Sequence, residues 1–205
     1  MLAPRPHDLL RLPGERVLPP DAPPWARSAL SVTPWVVVRR AAAPMGRIAV
    51  GVRGTSRSER YATAVDTDDV CEVVAPEDLA HVLPRGRREL AAICTLDTVR
   101  PVLDDTGLAW GPTGSVGFEL VTAIPTATPN SDLDLLARLP RGVSAALTLL
   151  AALHQQFRAL AVRVDCQVET PSGAVALAEL VDGPSDVMVR TAAGPRLVSR
   201  AAALS

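Results

Sequence analysis

Ser131-Asp132-Leu133-Asp134-Leu135-Leu136 sets two aspartates one residue apart inside an apolar run, downstream of Gly114-Ser115. Read as a strand, the run puts both carboxylates on one face and Leu133 and Leu135 on the other, because side chains alternate with period two. Two like charges facing one way repel, so the arrangement is costly without a cation between them. Carboxylate oxygens are hard ligands that suit Mg²⁺, with Mn²⁺ as an alternative; Mg²⁺ commonly takes protein carboxylates together with substrate phosphates. Gly114-Ser115 supplies backbone N–H groups and a hydroxyl for a phosphate. This layout predicts a phosphoryl or nucleotidyl transfer site.

Downstream, Val164–Thr170 reads as a strand on which Asp165, Gln167 and Glu169 share a face opposite Val164, Cys166 and Val168. Phosphoryl transfer assisted by two ions needs about three converging carboxylates. Asp165 is the natural third, with Glu169 in reserve. Between the two strands, Val143–Val162 predicts the longest helix, with His154, Gln155, Gln156 and Arg158 on its polar side. His154 is read as a surface or capping histidine in preference to a catalytic base. Gly173–Leu180 continues as a strand, and Val187–Thr191 with Pro195–Val198 reads as a hairpin through Ala193-Gly194. Upstream, Glu89–Leu103 has helical spacing with a break at Pro101, and Leu108–Trp110 is a strand. Gly111–Ser115 reads as a turn, Val116–Ala123 as a helix capped by Ser115, and Pro125–Asn130 as a loop.

The N-terminal third differs in character. Prolines punctuate residues 1–34, with short helices expected at His7–Leu10 and Trp25–Leu30. Trp35–Arg40 and Arg47–Arg53 are β-branched runs that predict a hairpin. Six arginines and one acid lie between residues 39 and 60. They form either a solvated basic edge that discourages strand pairing or a phosphate-gripping surface in which Arg53, Arg57 and Arg60 surround the Gly54 turn. Val70–Val74 reads as a short strand and Pro76–Leu79 as a helix start. Pro84-Arg85-Gly86-Arg87-Arg88 is the best junction. The expected fold is α+β: a smaller, strand-rich domain over residues 1–84, then a catalytic domain over 85–205 with helices on a mixed sheet.

Composition narrows the function classes. The 205 residues are 48% hydrophobic and 21% charged, as in a globular protein, but only 3% aromatic, so Ala, Val and Leu must fill the core. A net charge of −1 gives no support for a nucleic-acid coat. All 21 basic residues are arginines, so every cationic contact is a planar fork suited to phosphate or carboxylate. The three cysteines, Cys71, Cys94 and Cys166, form no CxxC pair and read as buried thiols in a reducing compartment. The N-terminus lacks an apolar signal core and no run is long enough to span a bilayer, so a soluble cytoplasmic protein is expected.

Longer strings carry a resemblance. Gly114-Ser115 with Asp132-Leu133-Asp134, and Asp165 as third acid, is similar to the signature of the nucleotidyltransferase superfamily. His7-Asp8-Leu9-Leu10, Val37–Arg40, Val50–Gly54, Trp110–Leu120, Ser131–Leu136, Glu169-Thr170-Pro171, Arg190-Thr191 and Gly194–Val198 together resemble the malonate decarboxylase holo-acyl-carrier-protein synthases, the phosphoribosyl-dephospho-coenzyme A transferases. The likeness covers nearly the whole chain and is weakest over residues 55–109. It implies that a carrier-subunit serine attacks the α-phosphorus of 2′-(5″-triphosphoribosyl)-3′-dephospho-coenzyme A and that pyrophosphate leaves. It also implies that Asp132 and Asp134 are the essential pair; we assign them as metal ligands, with one also placed to orient the hydroxyl. Charge and position, not the resemblance, assign Arg39, Arg53, Arg57 and Arg196 to phosphate or carrier contacts. Two alternatives stay open: a general nucleotidyltransferase with the same acids, and a catalytically silent module that grips a nucleotide or the carrier.

Overall fold

The computed structural model describes residues 3–56, 58–84, 89–140 and 146–204, and the chain divides into two compact units, Met1–Ala75 and Pro76–Ser205. The first unit runs β1 (Leu9–Arg11), α1 (Pro24–Val32), β2 (Trp35–Val38), β3 (Arg47–Arg53), β4 (Arg60–Asp66) and β5 (Glu72–Val74). Its antiparallel sheet has the order β4-β3-β2-β1-β5. The register sets Leu10, Val36, Val38, Val50, Val52 and Val65 on one face. That face closes the core with Ala26 and Leu30 of α1, one helical turn apart. Each such aliphatic side chain contributes about 1.5–3 kcal/mol on burial. Pro24 starts α1, where its missing N–H costs nothing.

The second unit contains α2 (Ala91–Asp104), β6 (Ala109–Pro112), α3 (Gly114–Thr122), β7 (Leu133–Arg138), α4 (Ala146–Arg158), β8 (Val164–Thr170), β9 (Gly173–Ala176), α5 (Leu177–Asp182), β10 (Asp186–Thr191), β11 (Gly194–Ser199) and α6 (Arg200–Leu204). Its sheet has the order β11-β10-β9-β8-β7-β6. Among the described strands only β7 and β8 pair in parallel, and α4 lies on the crossover that such a pair requires. One face carries Leu133, Leu135, Ala137, Cys166, Val168, Val175, Val187 and Val189, all buried. The α+β class and the β2–β3 and β10–β11 hairpins agree with the sequence reading.

Several expectations need correction. The boundary falls between Ala75 and Pro76, not at 84/85. The 3-10 turn Pro76–Leu79 packs on β6, where a Cβ on Gly111 would overlap the Pro76 carbonyl, and Glu77 pairs with Arg138 of β7. The junction residues 85–88 and the start of the long helix at 143–145 lie outside the described residues. His7–Leu10 is not a helix, since Leu9–Arg11 is paired on both sides by β2 and β5. Pro101 does not break α2; in the last turns it removes a single backbone donor. Gly111 and Pro112 belong to β6, an edge strand that tolerates proline. Gly173–Leu180 splits into β9 and α5. β7 begins after Asp132, so of the two aspartates only Asp134 lies within the strand. Cys71 and Cys94 are exposed, and only Cys166 is buried; Ile93 and Leu96 take the inward face of α2 beside Cys94. Among the described residues, no helix is long and apolar enough to cross a membrane.

Candidate active site

The acids gather where β7 and β8 begin and α3 starts. Leu133 and Leu135 are buried with 0% and 1% exposure, so the alternation turns Asp134 to the opposite face. The parallel register places Asp134 directly opposite Asp165, and pairs so placed share a face. One row further out stand Asp132, just before β7, and Arg163, just before β8. The Arg163 carbonyl accepts the Leu133 N–H at 3.0 Å, which locks that row. Arg163 lies 3.7 Å from Asp132 through Nη1 and 3.5 Å from Asp165 through Nη2. Its side chain is 70% exposed. Sequence reasoning passed over Arg163, although its place two residues before Asp165 puts it on the acidic face.

The start of α3 is built against Asp134. The Thr113 N–H donates to the Asp134 carbonyl at 2.9 Å. Gly114 follows with φ +59°, and a Cβ there would overlap the Asp134 carboxylate. Glycine is required for both the backbone conformation and the space. The first N–H groups of a helix have no acceptor within it and favour anions, which suits a phosphate. Ser115 is not the cap expected. Thr113 holds that position without a side-chain cap bond, and Ser115 is a buried residue of the first turn. One turn on, buried Glu119 accepts the N–H groups of Thr126 and Ala127 at 2.8 and 2.9 Å. It thereby fixes the loop that leads to Asp132. Its only sequence signal is a lone acid in an apolar helix.

Other candidates fall elsewhere. Glu169 stands opposite Arg138, four residues along β8 from Asp165, about 13 Å at strand rise. Arg196 shares a row with Val189, hence with Val175 and Val168, on the face away from the acids. It lines a depression with Pro171, Ser172 and Val198. Arg39 and Arg53 belong to the first unit, and Arg57 lies outside the described residues. Arg53 faces Arg60 across the β3–β4 hairpin. At the Gly54 turn, the Ser56 N–H and Thr55 hydroxyl donate to Glu59 at 2.9 and 3.1 Å. Those bonds hold the Glu59 carboxyl below its ordinary pKa. His154 bonds Asp182 at 2.9 Å, a link between α4 and α5.

Carboxylate oxygens suit a hard divalent ion, and Asp132, Asp134 and Asp165 are the donors available to hold one. Among the described residues, no group of three or more His, Cys, Asp or Glu side chains is already arranged to do so. A guanidinium, itself a cation, spans two of the three. The Cys166 thiol is pushed up to about 12 by burial and by the Asp165 charge, so it stays neutral and adds no ligand.

Comparisons with known proteins agree over both units. Residues 5–76 match the family model described as the phosphoribosyl-dephospho-CoA transferase MdcG N-terminal domain, and residues 78–201 match its C-terminal domain. A phosphoribosyl-dephospho-CoA transferase of Pseudomonas putida strain W619 is 41% identical over 97% of this chain and 95% of its own length. Another of Pseudomonas putida is 43% identical over the same shares. One of Azotobacter vinelandii is 42% identical over 96% of this chain and 93% of its own. No solved structure matches the chain. Both family models and full-length relatives above 40% identity lead to one conclusion: the chain belongs to the phosphoribosyl-dephospho-CoA transferase family.

Proposed function

We propose that this enzyme transfers the phosphoribosyl-dephospho-CoA group from 2′-(5″-triphosphoribosyl)-3′-dephospho-CoA to a serine of the malonate decarboxylase acyl-carrier subunit. The observation that carries the site assignment is the pairing of Asp134 with Asp165 on one face, beside the first turn of α3. The serine Oγ forms a bond to the α-phosphorus, the bond from that phosphorus to pyrophosphate breaks, and the serine proton goes to a carboxylate. Asp132 or Asp134 takes that proton and aligns the hydroxyl. The N–H groups at Gly114 and Ser115 hold donor phosphate oxygens. Asp132, Asp134 and Asp165 hold Mg²⁺ or Mn²⁺, which when bound polarises the phosphate and neutralises charge on the leaving pyrophosphate. Arg39, Arg53 and Arg57 are assigned to phosphate or carrier contacts. Arg196, on the opposite face from the acids, suits the carrier. The setting is the reducing cytoplasm, where exposed Cys71 and Cys94 stay reduced.

The test is intact mass measurement of the apo carrier subunit after incubation with this protein, Mg²⁺ and the triphosphoribosyl donor. The expected result is a mass gain of one phosphoribosyl-dephospho-CoA group, with ATP giving no adduct. An adduct from ATP alone would assign a general nucleotidyltransferase. No adduct from either donor would leave a binding module.

A further inference from the structure

Three acids and one arginine lie where the parallel β7–β8 pair begins, Asp134 and Asp165 within it and Asp132 and Arg163 just before it. The arginine contacts two of the acids. We propose that Arg163 and a divalent cation compete for Asp132 and Asp165, and that the displaced guanidinium then binds the phosphates of the donor. This rests on the reading that these acids hold a metal.

The backbone of Arg163 is fixed by the Leu133 hydrogen bond, while its side chain is 70% exposed. The head group is therefore the part able to move. Its contacts of 3.5 and 3.7 Å are single-ended and solvated, which makes them weak. They are still favourable when no other cation is near, because adjacent carboxylates otherwise repel. Formal charges show what exchange does. Asp132, Asp134, Asp165 and Arg163 sum to −2 without a metal. A divalent ion takes the three acids from −3 to −1, so their pull on the guanidinium falls and the head group is freer to leave them. A planar five-donor fork is well shaped for phosphate oxygens. One residue then keeps the empty site from repelling itself and presents positive charge to the triphosphate after loading.

The experiment uses the full-length protein without donor or carrier. Mn²⁺ is titrated into wild type, Arg163→Gln and Arg163→Lys by calorimetry, then inorganic pyrophosphate is titrated at saturating Mn²⁺. Arg163→Gln is expected to bind Mn²⁺ about three- to tenfold more tightly than wild type, the scale of losing weak exposed ion pairs. Pyrophosphate is expected to bind that variant about tenfold more weakly, a single charge-assisted contact being lost. Arg163→Lys falls between on both measures. If wild type binds Mn²⁺ and Arg163→Gln binds it equally or less well, the competition is refuted while the metal reading stands. Mn²⁺ affinity raised in Arg163→Gln with pyrophosphate binding unchanged refutes the handover to phosphate. If neither protein binds Mn²⁺, the metal reading and this inference fall together.

Discussion

Asp134 and Gly114 form the tightest fit in the site. A methyl group at residue 114 meets the Asp134 carboxylate, and the residue holds φ +59°. Gly114→Ala is therefore expected to destabilise the protein by about 1–3 kcal/mol, the cost of a non-glycine residue held in the left-handed region. Transfer activity is expected to fall further than the stability loss explains, because the carboxylate must move. Urea denaturation alongside turnover measures both, and a variant matching wild type in each would show that the close approach is immaterial. The two-residue spacing of Asp132 and Asp134 was legible because alternation follows from strand geometry alone. Arg163 was not singled out, since an arginine flanking a strand looks like any solvated charge until the parallel register sets it across from Asp132. The buried role of Ser115 was equally hidden: its burial depends on how α3 packs.

Elements that depend on local pattern were readable; those made by distant partners were not. The full extents of β3 and β8 follow from β-branched alternation. β1 is three residues long, with no period to detect, and exists because β2 and β5 flank it. β4 was missed because its Ala and Thr positions give little hydrophobic contrast, although all seven residues pair with β3. The loop after α3 reads as irregular, yet Glu119 anchors it from inside the helix. Glu119→Ala leaves the buried Ala127 N–H and the part-buried Thr126 N–H without their acceptor, at about 1–3 kcal/mol for the buried one. The expected outcome is a lowered urea midpoint and slower transfer, with both largely restored in Glu119→Gln, whose amide oxygen still accepts. Equal stability of Glu119→Ala and wild type would remove the anchoring role.

Over the whole molecule, proline and arginine content marked a junction, but packing decided where it lies. The Pro76–Leu79 turn follows the first sheet in sequence and joins the second unit through Gly111 and the Glu77–Arg138 pair. No local signal records such a contact. The two family models, which cover residues 5–76 and 78–201, divide within about two residues of the junction. The central claim is that Asp134 and Asp165 act together while Glu169, on the same face, does not. Single-turnover transfer to the carrier by Asp134→Asn, Asp165→Asn and Glu169→Gln, each shown folded by circular dichroism, tests it most directly. The account predicts that the first two lose about 10²–10⁴-fold in rate, as loss of a proton acceptor or ion ligand does, and that Glu169→Gln stays within a few-fold of wild type. Full activity in Asp165→Asn, or an equal loss in Glu169→Gln, would contradict it.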